Sequence, residues 1–386
     1  MNRPDAKKRI TIIGTGLIGG SLGLALRANR LPGLEVVGHD RDRGVCGRAE
    51  KAGAIDRAEH DLARAVSGAG MVIIAVPVLS VREVMQQIAA HVEEGAVVTD
   101  TTSTKAHVMA WAKELLPGHV NFVGGHPMAG KENTGIENAE AGLFRAKAYC
   151  VCPAVDASDS AVKSVLGLAK LAGAEPMFID AEEHDIYAGA VSHLPLMLST
   201  ALFSMLRSSP AWTDMGMMAS SGFHDVTRLA SGDPAMSHGI WVTNREAVIH
   251  WLERMTDELR RFRDMLNDAQ DETLLETFYK AQADREIFLQ EPPARRAEVA
   301  GAKVDTSQAF LSMLVGGMLA KNIQRAKELP DLTKEPQQAP GGKDEPTRRR
   351  TFGDRVAEGV RRDLEKLEQR REEEARSEQN SAGDET

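Results

Sequence analysis

The chain has 386 residues, more than one ordinary hydrophobic core supports, which indicates at least two domains. Hydrophobic residues make up 42% and aromatic residues only 4%, so the core is predicted to be mainly aliphatic and methionine-rich. The formal net charge of -9 disfavours nucleic acid as a partner, because phosphate backbones need a basic surface, but it leaves open a small anionic substrate.

Cysteine content and the N-terminus bear on location. Cys46, Cys150 and Cys152 are an odd number without a C-x-x-C pair, which predicts free thiols in a reducing compartment. Cys150 and Cys152 would face the same side of one strand and be buried. The first apolar run, 10–14, is too short for a signal peptide, and no window approaches the ~18 apolar residues of a membrane span. We therefore expect a cytoplasmic protein without a membrane partner.

Short β-rich runs alternate with helical stretches over the first half of the chain. The β-rich runs are 10–14, 35–40, 71–76, 96–100, 122–125, 148–152 and 177–179, and the helical stretches include 17–30, 80–91, 105–116 and 159–171. This alternation predicts βαβ units and a mainly parallel sheet. The wholly apolar run 71–76 is typical of a strand buried on both faces.

A glycine fingerprint follows the first strand. Gly14, Gly16 and Gly19 form G-x-G-x-x-G at the start of an apolar helix. In this motif the glycines permit a tight turn, a close approach of the backbone to pyrophosphate, and close packing of helix on sheet. The helix would begin near Leu17 and Ile18, with its free N–H groups directed at the phosphates. The sequence therefore predicts an α/β Rossmann-type dinucleotide-binding domain over 1–180.

The second strand indicates which dinucleotide is bound. Asp40 lies at its end, where a carboxylate would accept hydrogen bonds from the adenosine ribose and repel a 2′-phosphate. NAD is therefore favoured over NADP, although Arg41 and Arg43 could hold such a phosphate. Val76 and Pro77 follow another strand and would lie at the mouth of the sheet, where open α/β sheets bind ligands.

The pattern changes after residue 180. Over 181–290 there is no convincing strand, and 182–207 and 240–267 are predicted to be helices, which indicates an all-helical second domain. One more apolar helix is predicted within 291–329. The segment 330–386 is charged and rich in Pro and Gly near its start, which favours a largely disordered tail.

Polar clusters recur where an enzyme of this kind would keep its substrate. They are DTTSTK (100–105), GGHPMAGKE (124–132), SHLP (192–195) and SSGFHDVTRLASGDP (220–234). With the glycine fingerprint, they resemble the prephenate and arogenate dehydrogenases of tyrosine biosynthesis over roughly 9–290. The resemblance implies NAD-dependent oxidative decarboxylation of prephenate to 4-hydroxyphenylpyruvate. The alternative activity is that of an arogenate or dual-specificity cyclohexadienyl dehydrogenase. The resemblance also implies a homodimer formed through the helical domain.

The resemblance assigns two residues to proton transfer. His126 matches the family's catalytic His, and a neutral imidazole is suited to accept the hydroxyl proton near pH 7. Ser103 matches the Ser of the S-x-K element and would bridge His126 and either the substrate hydroxyl or the nicotinamide. An alternative for Ser103 is that it caps the helix predicted to start near Lys105.

Two further residues are assigned to the substrate. His193, in SHLP, matches a second family His and would come from the helical domain, although a structural role is an alternative. Arg228 matches the Arg that binds a substrate carboxylate, for which a guanidinium is suited. The alternative for Arg228 is an ion pair with Asp225 or Asp233.

Other positions are assigned more loosely. Glu132 follows the catalytic motif and is expected to pair with a nearby base, and Asn244 is expected to face the same region as Trp241, which is interpreted as a packing residue. His224 stands where some arogenate-preferring relatives carry Arg, which leaves the side-chain preference open. The segment 291–386 lacks the β-rich pattern of a regulatory tyrosine-binding domain, so none is expected.

Two rival functions remain at this point. A β-hydroxyacid dehydrogenase or imine reductase would combine a dinucleotide domain with a helical domain, but typically relies on a helical-domain Lys that is not evident here. A non-catalytic dinucleotide sensor would need no proton acceptor, which His126 and His193 provide. No metal site is expected, because the His residues show no ligand spacing.

Overall fold

The computed structural model describes residues 8–290, which divide into two compact units, 8–252 and 253–290. The predictions for 291–329 and 330–386 lie outside the described residues. The first unit contains a sheet with its flanking helices and most of the helical region. The second contains the end of one long helix and the helix that follows it.

A twisted eight-stranded sheet organises the first unit. Its strands are β1 Lys8–Ile13, β2 Leu34–His39, β3 Arg57–Ala58, β4 Ala69–Ile74, β5 Val97–Asp100, β6 Asn121–Pro127, β7 Ala148–Pro153 and β8 Glu175–Phe178. The order is β3-β2-β1-β4-β5-β6-β7-β8, and every neighbouring pair is parallel except β6 with β7. The first six strands have the Rossmann order, so the predicted fold class is confirmed.

Helices cover both faces of the sheet. They are α1 Leu17–Ala28, α2 Arg43–Lys51, α3 Leu62–Val66, α4 Val78–Ile88, α5 Ala106–Leu115 and α6 Asp159–Leu171. The side chains of β4 alternate between two hydrophobic clusters. Met71 and Ile73 join the cluster that includes α1 and α6, whereas Val72 and Ile74 join the one that includes α4 and α5. This burial on both faces explains the continuous apolar run of β4.

No strand occurs after Phe178 among the described residues. The helices there are α7 Ala181–Ala188, α8 Leu194–Arg207, α9 Trp212–Met217, α10 Ser221–Thr227, α11 Pro234–Thr243, α12 Arg245–Asn267 and α13 Asp271–Gln290. A π-helical turn, Gly189–His193, joins α7 to α8. Pro195 lacks an N–H and would crowd the carbonyl of Val191, so the regular hydrogen-bond ladder cannot pass through this point.

Two predictions for this region need correction. The single helix predicted over 240–267 is divided at Asn244, which has φ -128° and ψ 36°. The Asn244 amide bonds to groups outside its own helix, and this requirement overrides the helical pattern. The stretch Ala181–Arg207 is also long and apolar enough, by length and composition alone, to cross a membrane, contrary to the expectation of no such window. The leucines, methionines and phenylalanine of α8 supply most of this apolar content.

The second unit carries exposed apolar side chains. The ring centroids of Phe262 and Phe278 lie 6.2 Å apart. Met265, three residues after Phe262, is buried. Leu259, Leu266 and several residues near the end of α13 remain exposed. Exposed apolar side chains of this size are typical of a surface that associates with another chain.

Candidate active site

The fingerprint glycines form a tight cradle with one open position. Gly14 has φ +90°, and a Cβ there would collide with the carbonyl oxygen of Ala75. A Cβ on Gly19 would collide with the carbonyl oxygen of Gly14. At Gly16, by contrast, a Cβ would meet no described atom within 4 Å. The space in front of Gly16 therefore suits a ligand, as expected for the pyrophosphate of a dinucleotide.

A cavity of about 390 Å³ lies beside this cradle, at the end of β2. Its walls include Gly16, Asp40 and Arg41. The Asp40 carboxylate accepts hydrogen bonds from the backbone N–H groups of Thr15 (2.8 Å) and Asp42 (3.0 Å). These bonds hold the carboxylate in place and leave lone pairs free for a ribose hydroxyl.

A second cavity of about 500 Å³ continues from the first past the ends of β4, β5 and β6. Both cavities share Gly16, Arg41, Val76 and Pro77 as lining residues. The second cavity also contains most of the predicted site residues. They are Gly16, Leu17, Ile18, Arg41, Val76, Pro77, Ser103 and His126.

A third cavity, of about 450 Å³, extends the groove towards the helical region. It shares Ser103 and His126 with the second cavity and ends at Glu132 and Arg228. His193 does not line it, although the neighbouring Ser192 does. Ser103 and His126 therefore lie at the junction between the dinucleotide side of the groove and its Arg228 end.

His126 is joined to a buried histidine and a buried carboxylate. His126 Nδ1 lies 2.8 Å from His184 Nε2, and His184 Nδ1 lies 2.8 Å from Asp185 Oδ1. The two carboxylate oxygens of Asp185 accept hydrogen bonds from the backbone N–H groups of Lys105 (2.7 Å) and Ala106 (2.9 Å). Asp185 thus connects α7 both to His126 and to the start of α5.

His193 is held by Asn244 behind the groove wall. Asn244 Nδ2 donates to the backbone carbonyl of Asp185 (2.7 Å) and lies 2.9 Å from His193 Nδ1. Because the carbonyl fixes this nitrogen as the donor, His193 Nδ1 is an acceptor and the neutral ring carries its proton on Nε2. That Nε2 is buried and has no hydrogen-bond partner among the described residues.

A fully buried ion pair lies next to His126. Lys105 Nζ bonds to Asp100 Oδ2, and neither side chain is exposed. Asp100 also accepts from the backbone N–H and the hydroxyl of Thr102, and from Gly125 N at 3.1 Å. Since Gly125 precedes His126 on β6, the pair helps fix the backbone that carries the imidazole.

His126 and His193 both favour the neutral form. Burial lowers the pKa of His126 well below its ordinary value, and the neighbouring His184, Lys105 and His193 lower it further. Burial also lowers the pKa of His193 to about 4, although the charge of Asp185 opposes the shift. Near pH 7 both rings are therefore uncharged, the state in which an imidazole can accept a proton.

Comparison with known proteins identifies the chain. The nucleotide-binding domain of prephenate dehydrogenase matches residues 22–177, and the dimerization domain of prephenate dehydrogenase matches residues 180–280. A prephenate dehydrogenase of Bacillus subtilis is 32% identical over 282 residues, covering 72% of this chain and 76% of the relative. The chain belongs to the prephenate dehydrogenase family.

Other family members show the range of known activities. A cyclohexadienyl dehydrogenase of Zymomonas mobilis is 29% identical, covering 72% of this chain and 95% of the relative. A crystal structure of Aquifex aeolicus prephenate dehydrogenase with hydroxyphenyl propionate and NAD+ has a TM-score of 0.68 and 27% identity. It matches 72% of this chain and 97% of that one. The family predicted from the motifs is confirmed.

The structure decides two alternatives left open for the family's motif residues. Ser103 does not cap α5, because Asp185 supplies the oxygens that accept from the first free N–H groups. Arg228 pairs with Glu132 and not with Asp225 or Asp233. Asp233 instead caps α11 by accepting from Met236 N at 2.7 Å.

Sequence reasoning missed several residues behind the family's motifs. His184 and Asp185 were not singled out, and Lys105 appeared only within the S-x-K element and as the expected start of a helix. A signal was available, because His and Asp adjacent at the start of an apolar helix are polar residues at positions that face the core. The pattern could not say which residue they would contact, since His126 is 58 residues from His184 along the chain.

Proposed function

We propose that this chain is a prephenate dehydrogenase, which oxidises and decarboxylates prephenate to 4-hydroxyphenylpyruvate with NAD. The continuous groove from the glycine cradle to Arg228, with Ser103 and His126 at its middle, carries the proposal. Membership of the family supports an NAD-dependent dehydrogenase over a non-catalytic sensor or a hydroxyacid dehydrogenase.

The proposed chemistry begins at the ring hydroxyl. A bound oxidised nicotinamide would accept a hydride from the ring carbon that carries this hydroxyl. His126 accepts the hydroxyl proton, and general-base help of this kind contributes typically ~10²–10⁴-fold. Ser103, on the wall of the same two cavities, is positioned to donate to or accept from the hydroxyl. Met236 and Ile240 line the groove beside it.

The opposite end of the substrate carries two carboxylates. Arg228, at the far end of the third cavity, would hold the side-chain carboxylate, since a guanidinium can bind it with two parallel hydrogen bonds. The ring carboxylate leaves as carbon dioxide, and its bonding electrons enter the ring as this becomes aromatic. A cation on the ring carboxylate would oppose that step, so a single firm clamp on the side chain suits the reaction.

The dinucleotide groove favours NAD over NADP. A 2′-phosphate would approach the Asp40 carboxylate, which the N–H groups of Thr15 and Asp42 hold against the cavity wall. Arg41 lies on the same wall and could offset part of this repulsion. The preference is therefore expected to be strong but not absolute.

Arogenate is the second candidate substrate, and one contact favours it. Arogenate has an ammonium group beside its side-chain carboxylate, whereas prephenate has a keto group. The Glu132 carboxylate lies directly on Arg228, so the pair could bind the ammonium and the carboxylate together. The position of His224 near Arg228 in sequence gives no further preference.

We further propose a cytoplasmic homodimer formed through the helical region. The family's dimerization domain matches this region, which supports the assembly. Several large apolar side chains there are exposed, including Met205, Met217, Met218, Val226 and Ile249. The free, buried thiols fit a reducing compartment. Sedimentation of the full chain at several concentrations would test the dimer.

The deciding experiment is a turnover assay at the absorbance band of the reduced cofactor. Prephenate and arogenate are each supplied with NAD or NADP to the wild type and to His126→Asn. The matched control is His91→Asn, since His91 is an exposed histidine outside the groove. We expect turnover with NAD and prephenate that is lost in His126→Asn and kept in His91→Asn. No reduction in any of the four combinations would refute the proposal.

A further inference from the structure

The two nitrogens of the His126 ring face different surroundings. Nδ1 points into the protein and contacts His184, whereas Nε2 is the nitrogen left for the groove that His126 lines. A base acting on the substrate must therefore present a lone pair at Nε2 and carry its own proton on Nδ1. An isolated imidazole does not guarantee this arrangement, because either nitrogen can hold the proton.

The contacts behind His126 determine where its proton lies. The Asp185 carboxylate is an acceptor only, so His184 Nδ1, at 2.8 Å, must be the donor. When His184 carries this single proton, its Nε2 is bare and accepts from His126 Nδ1–H, the two nitrogens lying 2.8 Å apart. His126 Nε2 is left with its lone pair. With a singly protonated His184, the reverse assignment would set its bare Nδ1 against the carboxylate, two acceptors in contact. A doubly protonated His184 would instead donate to His126 Nδ1 and leave the His126 proton on Nε2, the outcome that the spectroscopic test below distinguishes.

We propose that His184 and Asp185 are positioning residues for the reaction: they hold His126 in the tautomer with a free Nε2 and share the proton that it accepts. This inference rests on the proposed function for its kinetic part. In the step, the substrate O–H bond breaks and a new N–H bond forms at His126 Nε2. The proton on His126 Nδ1 can then move along the existing hydrogen bond to His184 Nε2. The positive charge comes to rest on a ring that is hydrogen-bonded to the Asp185 carboxylate.

The charged and titratable groups that contact His126 or shift its pKa are consistent with this role. His193 and His184 face it from the helical region, Lys105 and its partner Asp100 from the end of β5, and Cys150 lies opposite it on β7. Burial raises the pKa of the Cys150 thiol to about 11, so it adds no charge. Lys105 is a buried cation near His126, and it disfavours a charged His126. Passing the proton to His184 relieves that cost, since Asp185 is the anion on the far side.

Asp185 also has a second connection that makes the arrangement rigid. Its carboxylate closes the start of α5 through Lys105 N and Ala106 N, immediately after Ser103. The same side chain therefore sets the distance between the segment that carries Ser103 and the strand that carries His126. Rigid support of this kind matters because misplacement of a reacting group by about 1 Å can cost ~10²-fold in rate.

Three variants of the full-length protein test the proposal kinetically. Asp185→Asn removes the anion at constant size. His184→Gln can still place a carboxamide oxygen near His126 Nδ1–H but cannot take up the proton, and His184→Asn is too short to reach it. We expect kcat to fall on the order of 10–100-fold in Asp185→Asn and His184→Gln, a part of the ~10²–10⁴-fold due to general-base help, and further in His184→Asn. The KM for NAD should stay unchanged in all three.

The pH profile separates this role from a merely structural one. In Asp185→Asn the acid limb of kcat should move to lower pH, because the protonated pair loses its neighbouring anion. The matched control is Asp180→Asn, since Asp180 caps the same helix by accepting from Glu182 N and Glu183 N and has no contact with His126. It should leave kcat and its acid limb unchanged. A fall in kcat with an unmoved acid limb in Asp185→Asn would overturn the proposal.

A spectroscopic measurement tests the tautomer without turnover. In wild-type protein with ¹⁵N-labelled histidine, we expect His126 to be protonated on Nδ1 and His184 to show a strongly downfield Nδ1–H proton, absent in Asp185→Asn. Protonation of His126 on Nε2 would overturn the proposal. Because this result needs no substrate, it stands apart from the turnover assay: failure of the enzyme with every dienol would refute the proposed function and leave the tautomer assignment intact.

Discussion

Replacement of Lys105 by Met tests how the buried ion pair beside the active site contributes to stability. Lys105 and Asp100 are both fully buried, so the substitution leaves a carboxylate without its counter-ion in a site closed to water. Breaking such a pair from one side typically costs ~3–5 kcal/mol. Asp100 keeps three donors, from Thr102 N, the Thr102 hydroxyl and Gly125 N. Because these donors still stabilise the carboxylate, we expect the free energy of unfolding to fall by about 3 kcal/mol, the lower end of that range.

The assay is urea unfolding of the wild type and the variant, followed by circular dichroism. The matched control is Lys113→Met, because Lys113 is an exposed lysine on the same helix and should change the free energy of unfolding by at most about 0.5 kcal/mol. Adding Asp100→Asn to Lys105→Met should cost less than the sum of the two single changes, since no unpaired charge then remains. A loss below about 1 kcal/mol in Lys105→Met would refute the reasoning.

Three further predictions concern the groove and the buried histidines. Gly16→Ala should fold normally, because the added Cβ meets open space, yet lose NAD affinity in calorimetry. Gly47→Ala, whose Cβ also meets open space but lies outside the groove, should keep that affinity. Arg228→Lys should raise the KM for the dienol about 10–100-fold, as expected for loss of ~1.5–3 kcal/mol of charged hydrogen bonding, with the KM for NAD unchanged. The lowered pKa of His193 means that its unfolded form binds more protons, so His193 should contribute a fall of about 3 kcal/mol in the free energy of unfolding from pH 6.5 to about 4, in addition to the contribution of His126. His193→Gln should flatten this fall in pH-dependent urea curves, and an unchanged slope would contradict the assignment.

The alternation of strands and helices and the glycine turn were predictable because each signal is local in sequence. The run 71–76 is apolar at every position since β4 is covered on both sides, and Gly14, Gly16 and Gly19 serve a turn completed within a few residues. The two-residue strand Arg57–Ala58 was missed because it is too short to show a period. The break at Asn244 was missed for another reason: the contacts of its side chain are 51 and 59 residues away along the chain.

In the candidate site, too, the residues within local motifs were predictable and their contacts with distant residues were not. Ser103, His126 and Arg228 stand within motifs, and the structure brings all three to the wall of the third cavity. What each one contacts inside the protein was not predictable. Asp225 and Asp233 lie within five residues of Arg228 in sequence, but Arg228 pairs with Glu132, which is 96 residues away. Charges close in sequence pair only when the backbone turns them together, and Asp233 is used for the cap of α11 instead.

A physical reason explains why the supporting residues are harder to find than those that face the groove. Residues that meet a substrate must match its chemistry, so their types follow from the reaction. A supporting residue needs only to complete the hydrogen bonds of a buried group, and several residue types can do so. Asp185 shows the consequence: its carboxylate satisfies two backbone N–H groups and one imidazole at once, and only the folded chain shows that they converge. Because one side chain meets all three demands, its loss should affect the position of Ser103 and the basicity of His126 together.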